Sequence, residues 1–186
     1  MRKMSLFLIM VTVAMNASYN SANAADAEKS PSAKEIRRNF FEGCLSSANS
    51  LHKYTLYKKC IGKFASECMN NIEKYDDWLK DINMGSNTLN CIELESQWWA
   101  KIFDKHAKEL RHKVHKKEKD KEITEALEDT LTVLKKRRLN NECTYGAVSN
   151  KEWNPARLFN QFSCDRDLLA ESAITVYLLN TEEGDK

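Results

Sequence analysis

The chemistry that this sequence could support depends first on its six cysteines. Thiolate sulfurs can bind a metal ion, form a redox couple or join in disulfide bonds, and their spacing separates these roles. The closest pair, Cys60 and Cys68, is too widely spaced for a Cys-x-x-Cys redox couple or for the tight spacing of zinc sites. The spacing therefore favours structural disulfide bonds. We expect all six to be bonded: Cys44, Cys60, Cys68, Cys91, Cys143 and Cys164.

Histidine is the other residue type whose placement could indicate catalysis or metal binding. His112 and His115 lie three residues apart on a predicted helix and could together hold a metal ion weakly. Arg111 and Lys113 flank them, so the pattern favours a solvated face that repels cations. No His-Glu-x-x-His motif or nucleophile motif includes any of the four histidines, which are His52, His106, His112 and His115.

Two pairs of carboxylates could serve as acid and base in glycoside hydrolysis if their pKa values differed. Glu93 with Glu95, and Asp76 with Asp77, lack the apolar neighbours that would raise the pKa of one member. We therefore predict that the protein is not an enzyme. The prediction includes no catalytic residue, no cofactor-binding residue and no metal ligand.

The first 24 residues have the form of a secretory signal peptide. Arg2 and Lys3 precede an apolar run at residues 6–15, and the small-residue pattern Ala-Asn-Ala ends at Ala24. The apolar run is shorter than the roughly 20 residues that span a bilayer, so we expect cleavage after Ala24, with a retained anchor as the alternative. We predict a mature chain without a membrane span, located in the periplasm or secreted, where disulfide bonds persist.

Charge is balanced overall but unevenly distributed along the chain. Without residues 1–24, which carry two basic and no acidic side chains, basic and acidic residues are equal in number, which argues against a nucleic-acid partner. Residues 101–121 hold nine Lys or Arg against four acids, whereas residues 165–186 hold six acids against two bases. We interpret the basic stretches as exposed helix ends, where cations interact favourably with the helix carboxyl terminus.

The expected fold is an all-α bundle of about four to five helices cross-linked by disulfide bonds, because glycine, proline and β-branched runs are scarce. Ser32 and Glu35 have the spacing of a capping box, and Thr88 is predicted to cap the longest helix. Apolar spacing predicts helices near residues 33–47, 53–72, 88–114, 121–140, 154–162 and 165–179, and a helical turn within 73–87. The predicted organisation is a polar leader at 25–32, one domain at 33–180 and a polar tail at 181–186.

Helix positions restrict how the cysteines can pair, since six cysteines allow 15 pairings. Cys60 and Cys68 are predicted on one helix, about 12 Å apart along its axis, which is beyond the roughly 7 Å between α-carbons that a disulfide tolerates. Sequential pairing would tie neighbouring helices across each connection: Cys44 to Cys60, Cys68 to Cys91, and Cys143 to Cys164.

Trp98 and Trp99 are the aromatic residues most suggestive of a partner contact. Adjacent residues on a helix point about 100° apart, so both cannot lie at the centre of one narrow apolar face. We expect one to be in the core and its neighbour at the boundary, where an exposed tryptophan could anchor a partner protein.

Four stretches carry a resemblance to a known family. They are CIGKFASEC at residues 60–68, NTLNCIELESQWWAKIFDKHAKEL at 87–110, NNECTYGAV at 140–148 and FSCDRDLLAESAITVYLL at 162–179. In cysteine placement and helix character they resemble the lysozyme-inhibitor LprI family of exported bacterial proteins, over about residues 44–179. The resemblance implies a helical, disulfide-bonded scaffold that binds another protein, without a residue-level site carried over.

Two function hypotheses follow. The first is an exported inhibitor that blocks the cleft of a lysozyme or another cell-wall hydrolase. Vertebrate-type lysozymes are strongly basic, so the acidic segment from Asp165 should face such an enzyme. The second is a secreted interaction protein or effector whose target is a host or envelope protein other than lysozyme. A structural periplasmic module without a dedicated ligand is a third, weaker reading.

Overall fold

All regular secondary structure in the described part of the chain is helical. The structure is a computed structural model, and it describes residues 30–46, 57–117, 121–136, 143 and 155–182. These ranges contain no strand, which confirms the prediction of an all-α fold. The predicted signal peptide and residues 25–29 of the predicted leader lie outside the described residues.

Helix α1 begins at the predicted capping box and changes from α-helical to π-helical and back along its length. It comprises an α-helical turn, a π-helical segment and a second α-helical turn, at Ala33–Ile36, Arg37–Glu42 and Gly43–Ser46. The Ser32 hydroxyl accepts from the Glu35 amide at 3.3 Å, and the Glu35 carboxylate accepts from the Ser32 amide at 2.7 Å, which confirms the capping box. Glycine is required at position 43, since a β-carbon there would lie 2.2 Å from the carbonyl oxygen of Arg38.

The prediction of one continuous helix over residues 53–72 is wrong, because Gly62 interrupts it. Gly62 has a φ of 81°, which is the left-handed conformation that glycine adopts without strain, and α2 begins after it as Lys63–Asn70. Cys60 therefore lies in the turn before α2 and does not share a helix with Cys68. The separation of about 12 Å predicted for two cysteines on one helix therefore does not apply to them. Each of them is bonded to another cysteine, as predicted.

Two short helical turns connect α2 to the longest helix, as the sequence predicts. They are a 3-10 turn at Ile72–Tyr75 and helix α3 at Asp76–Leu79. Helix α4 then spans Asn87–Lys117. The predicted cap at Thr88 is wrong, because the Ser86 hydroxyl is the group that accepts from the Leu89 amide, at 3.3 Å.

Helices α5 and α6 complete the described structure. Helix α5 spans Lys121–Lys136, and residues 137–140 of the predicted helix lie outside the described residues. Helix α6 spans Pro155–Glu182, so the two helices predicted at 154–162 and 165–179 form a single element. Neither glycine nor proline occurs between Pro155 and Glu182 to break it. None of the described helices is both long enough and apolar enough to cross a bilayer.

Helix α6 runs parallel to α4, and this pairing forms the centre of the bundle. The Arg166 guanidinium lies beside Gly62, whose amide donates to Glu95 of α4. Three turns further along both helices, Tyr177 of α6 packs edge to face on His106 of α4, with ring centroids 5.0 Å apart. Both helices therefore advance in the same direction, and the chain must return along the bundle between them.

The core is rich in aromatic side chains contributed by α1, α2 and α4. Phe41 contacts Phe64, Trp98 and Trp99, with ring centroids 5.9, 5.9 and 4.9 Å apart. Phe64 in turn packs edge to face on Tyr75 at 5.3 Å. Aromatic pairs of this kind add about 1 kcal/mol each beyond the apolar area that they bury.

Three disulfide bonds cross-link this core in the sequential order. The S–S distances are 2.00, 2.03 and 2.10 Å, for Cys44–Cys60, Cys68–Cys91 and Cys143–Cys164. The second bond joins the end of α2 to the start of α4, and both of its cysteines are fully buried. No cysteine is left as a free thiol.

Candidate interaction surface

The polar groups of the interior serve the fold, and the clearest case is the buried carboxylate of Glu95. Its side chain is fully buried on α4 and accepts from the amides of Gly62 and Ala65, both at 2.7 Å. The Trp99 indole donates to the same carboxylate at 3.0 Å. Glu95 therefore supplies the missing hydrogen-bond acceptor for the first turn of α2, whose amide groups favour negative charge.

Glu93 and Glu95 are not an equivalent pair, and the expectation that neither lies in an apolar setting is wrong for Glu95, which is fully buried. Glu93 is partly exposed and accepts from Gln97 at 3.3 Å, one turn along α4. Glu95 is buried because its partners come from a segment about 30 residues earlier in the chain. No local pattern around Glu95 contains that information.

The expectation that one of Trp98 and Trp99 lies at the boundary is wrong, because both side chains are buried, at 1% and 0% exposure. Phe41 packs against both rings, so the covered arc of α4 is wider than the 100° between adjacent residues. Trp78 covers Trp98 from another side at 5.7 Å, and the Lys101 ammonium lies 4.5 Å from the same ring. Neither tryptophan is available to anchor a partner.

His106 forms a second buried polar cluster, where α4 meets the carboxyl end of α6. Its Nδ1 lies 3.0 Å from the side-chain nitrogen of Asn180 and 3.1 Å from a Glu109 carboxylate oxygen. The Asn180 side chain also donates to Glu109 at 2.8 Å, and the Asn180 backbone carbonyl accepts from Lys113 at 2.6 Å. Asn180 and Glu109 both lie within hydrogen-bonding distance of Nδ1, so the partner that the neutral ring uses depends on its tautomer.

Burial lowers the pKa of His106 below its ordinary value of 6.5, although the nearby Glu109 carboxylate opposes the shift. The unfolded chain therefore binds a proton at His106 more readily than the folded chain does. Consequently, the free energy of unfolding should fall as the pH drops below 6.5, and this part of the loss should be absent in His106→Asn. Urea unfolding at a series of pH values measures it. His112 is an exposed histidine on the same helix, so His112→Asn should keep the wild-type dependence of the unfolding free energy on pH. The same pH dependence in both variants would contradict the prediction.

The structure adds no third ligand to the predicted pair His112 and His115 within the described ranges. His112 and His115 are exposed on α4, and no group of three or more His, Cys, Asp or Glu side chains with metal-binding geometry occurs in the described ranges. His52 lies outside them. Lys108, His112 and Lys116 are exposed one turn apart on α4, and we call this row the basic row.

An acid-lined depression lies on the surface of α6. Its volume is about 320 Å³, and its lining residues are Asn160, Ser163, Cys164, Asp167, Leu168 and Glu171. Asp167 is half exposed and pairs with Arg166 at 2.7 Å, whereas Glu171 is less exposed and pairs with Lys58 at 3.1 Å. The Cys143–Cys164 bond lies at its wall, so this surface belongs to a cross-linked part of the chain.

The chain matches no protein-family model, no curated protein and no solved structure. The structure itself defines the class as an all-α protein cross-linked by three disulfide bonds.

Proposed function

We propose that this protein is an exported binding protein of the LprI inhibitor type, which acts on its target by protein–protein contact without catalysis. The observation that carries the proposal is the acid-lined depression on α6, beside a disulfide bond. It brings Asp167 and Glu171, two acids of the acidic segment that begins at Asp165, onto one face of one helix. Asp167 pairs with Arg166 and Glu171 pairs with Lys58, so a basic partner would compete with these two cations for the carboxylates.

The chemistry of recognition would be electrostatic attraction followed by docking onto a rigid surface. A carboxylate face speeds the encounter with a basic hydrolase, because opposite potentials steer diffusion. Cross-linked helices lose little conformational freedom on binding, so less of the interaction energy is spent on ordering the protein. The target proposed here is a lysozyme or another basic cell-wall hydrolase.

The disulfide bonds support the proposed location. Three disulfides and no free thiol among six cysteines are typical of proteins that mature in the periplasm or outside the cell. Residues 1–24 are proposed as the signal peptide that directs the chain there.

The basic row on α4 favours a second candidate function. Lys108, His112 and Lys116 would complement an acidic surface, which a basic lysozyme does not offer. The protein would then be a secreted interaction protein or effector with a host or envelope target other than lysozyme. Capture from host and envelope extracts by the wild type, weakened in Lys108→Glu, would support this alternative.

Inhibition of a vertebrate-type lysozyme by the purified mature protein tests the first proposal. Asp167→Lys reverses a half-exposed charge in the depression and should raise the half-inhibitory concentration about tenfold, because it replaces attraction by repulsion. Asp81→Lys, an exposed acid between α3 and α4, is the matched control and should leave inhibition unchanged. Absence of inhibition by the wild type at a large molar excess rejects lysozyme as the target. Equal losses in the two variants reject the depression as the contact surface.

A further inference from the structure

The last turn of α6 is attached to α4 through polar contacts of Asn180. The Asn180 side chain is buried, whereas the adjacent Leu179 is 37% exposed. The Asn180 side-chain nitrogen lies 3.0 Å from His106 Nδ1 and 2.8 Å from a Glu109 carboxylate oxygen. The Lys113 ammonium donates to the Asn180 backbone carbonyl at 2.6 Å. We call Asn180, His106, Glu109 and Lys113 the latch.

The protonation state of His106 decides whether the latch can stay closed. An ionised carboxylate only accepts hydrogen bonds, so the nitrogen of the Asn180 amide must face Glu109, and the same nitrogen meets Nδ1 of His106. A neutral imidazole can leave Nδ1 without a proton and accept this contact. An imidazolium carries a proton on both ring nitrogens, so Nδ1 and the Asn180 nitrogen would be two donors facing each other. Protonation of His106 therefore removes the contact that holds Asn180.

The surroundings of the His106 ring disfavour the charged form. His106 Nε2 is buried and has no hydrogen-bond partner within the described residues, so nothing there offsets the burial of a charge. Glu109 and, from α1, Glu42 attract an imidazolium, whereas Lys105 repels it. Lys105 also pairs with Glu42 at 2.7 Å. Tyr177 of α6 packs edge to face on the ring and stays neutral, because burial raises its pKa.

We propose that the latch is a pH-sensitive switch, in which protonation of His106 releases the last turn of α6 while the rest of the bundle stays folded. A terminal segment with little buried apolar area opens at a lower free energy than the core. Before the latch, α6 is anchored by fully buried side chains, which are Ala170, Ala173, Ile174 and Val176. Release frees the Lys113 ammonium from the Asn180 carbonyl, so this end of α4 presents more positive charge in acid. The switch does not depend on the identity of a target.

The direction of the pH dependence follows from proton binding. When the latch opens, water reaches His106 and its pKa returns towards the ordinary value of 6.5, whereas burial lowers the pKa in the closed latch. The closed form is therefore fully favoured above pH 6.5 and loses stability as the pH falls below this value. For a single proton, the opening constant rises by up to about tenfold between about pH 7.5 and about pH 5.5.

Amide hydrogen exchange of the purified mature protein, followed by NMR at these two pH values and corrected for the intrinsic pH dependence of exchange, measures the opening constant. The amides of residues 179–182 should lose protection several-fold at the lower pH. His106→Asn removes the titrating ring and keeps a hydrogen-bond acceptor, so it should abolish this pH dependence. His112→Asn is the matched control and should keep the wild-type dependence, because His112 is exposed and lies outside the latch.

Asn180→Ala tests the latch from α6 and leaves the His106 ring in place. It should lower the protection of the last turn already at the higher pH and leave only a weak dependence on pH. A wild-type change of less than about twofold overturns the proposal. Exchange of the last turn at the same rate as the amides of residues 170–176 overturns it too, because the turn would then open only with the whole helix. Equal pH dependence in His106→Asn and His112→Asn is equally decisive against it. No hydrolase is present in these measurements, so their failure is distinguishable from failure of the proposed function.

Discussion

Glu95→Ala is expected to lower the free energy of unfolding by about 4 kcal/mol, because it removes the common acceptor of three donors. The Ala65 amide and the Trp99 indole are buried, and the Gly62 amide is partly buried. Each orphaned donor costs about 1–3 kcal/mol, and the cavity left by the side chain adds to the loss. Urea unfolding followed by circular dichroism measures the change.

Glu93→Ala is the matched control for that experiment, as it removes the same side chain two residues away on the same helix. Glu93 is partly exposed and accepts a hydrogen bond from Gln97, so its loss should cost less than about 1 kcal/mol. The loss of unfolding free energy in Glu95→Gln should lie between these two losses. The glutamine side chain keeps one acceptor oxygen, but its amide nitrogen is a donor and cannot accept from the surrounding donors. Similar losses for Glu93→Ala and Glu95→Ala would show that the buried carboxylate does not stabilise α2.

Removal of the Cys68–Cys91 bond is the second change with a large expected effect. The double variant Cys68→Ala/Cys91→Ala should lose about 3 kcal/mol of unfolding free energy, since the bond closes a loop of 23 residues in the unfolded chain. Both cysteines are fully buried, so the replacement also removes packing atoms from the centre of the core. Thermal and urea unfolding under oxidising conditions measure the loss.

The Cys44–Cys60 bond provides the comparison, because its loop of 16 residues has a similar closing entropy. Cys44 is partly exposed, so Cys44→Ala/Cys60→Ala should lose less packing and less stability than the buried pair. During partial reduction by dithiothreitol, the buried bond should also be the slower of the two to open. A faster loss of Cys68–Cys91 would contradict the assignment of this bond to the core.

Features that depend on a few neighbouring residues could be predicted from the sequence. The capping box needs only Ser32 and Glu35, and both of its hydrogen bonds are present. The all-α class follows from composition and apolar spacing, which sum over many residues. Sequential disulfide pairing follows from the alternation of cysteines with helix ends, and it agrees with the three bonds observed.

Features that depend on distant residues could not be predicted in this way. A single glycine inside a helical pattern lowers helix stability by only about 1 kcal/mol, so Gly62 alone does not predict a break in the helix. The break frees the amides of Gly62 and Ala65. It becomes favourable because Glu95, 33 residues after Gly62, accepts a hydrogen bond from each of them. Trp98 and Trp99 are both buried for a similar reason, since the covering residue, Phe41, lies in a different helix.

The candidate site was only partly visible in the sequence. The acidic segment from Asp165 could be recognised by composition, and the depression is lined by two of its acids, Asp167 and Glu171. The set of acids that share a face depends on whether the helix is continuous. The sequence predicted a break near residue 163, so it did not predict this shared face.

The order of the disulfide bonds has a consequence for how the protein matures. Along the chain, the second cysteine of each bond precedes the first cysteine of the next bond, so the three loops neither overlap nor enclose one another. A polypeptide that emerges amino end first into an oxidising compartment presents each thiol with its own partner before a competing thiol arrives. For a chain exported as proposed, oxidation in order of emergence is therefore expected to favour the native set of bonds.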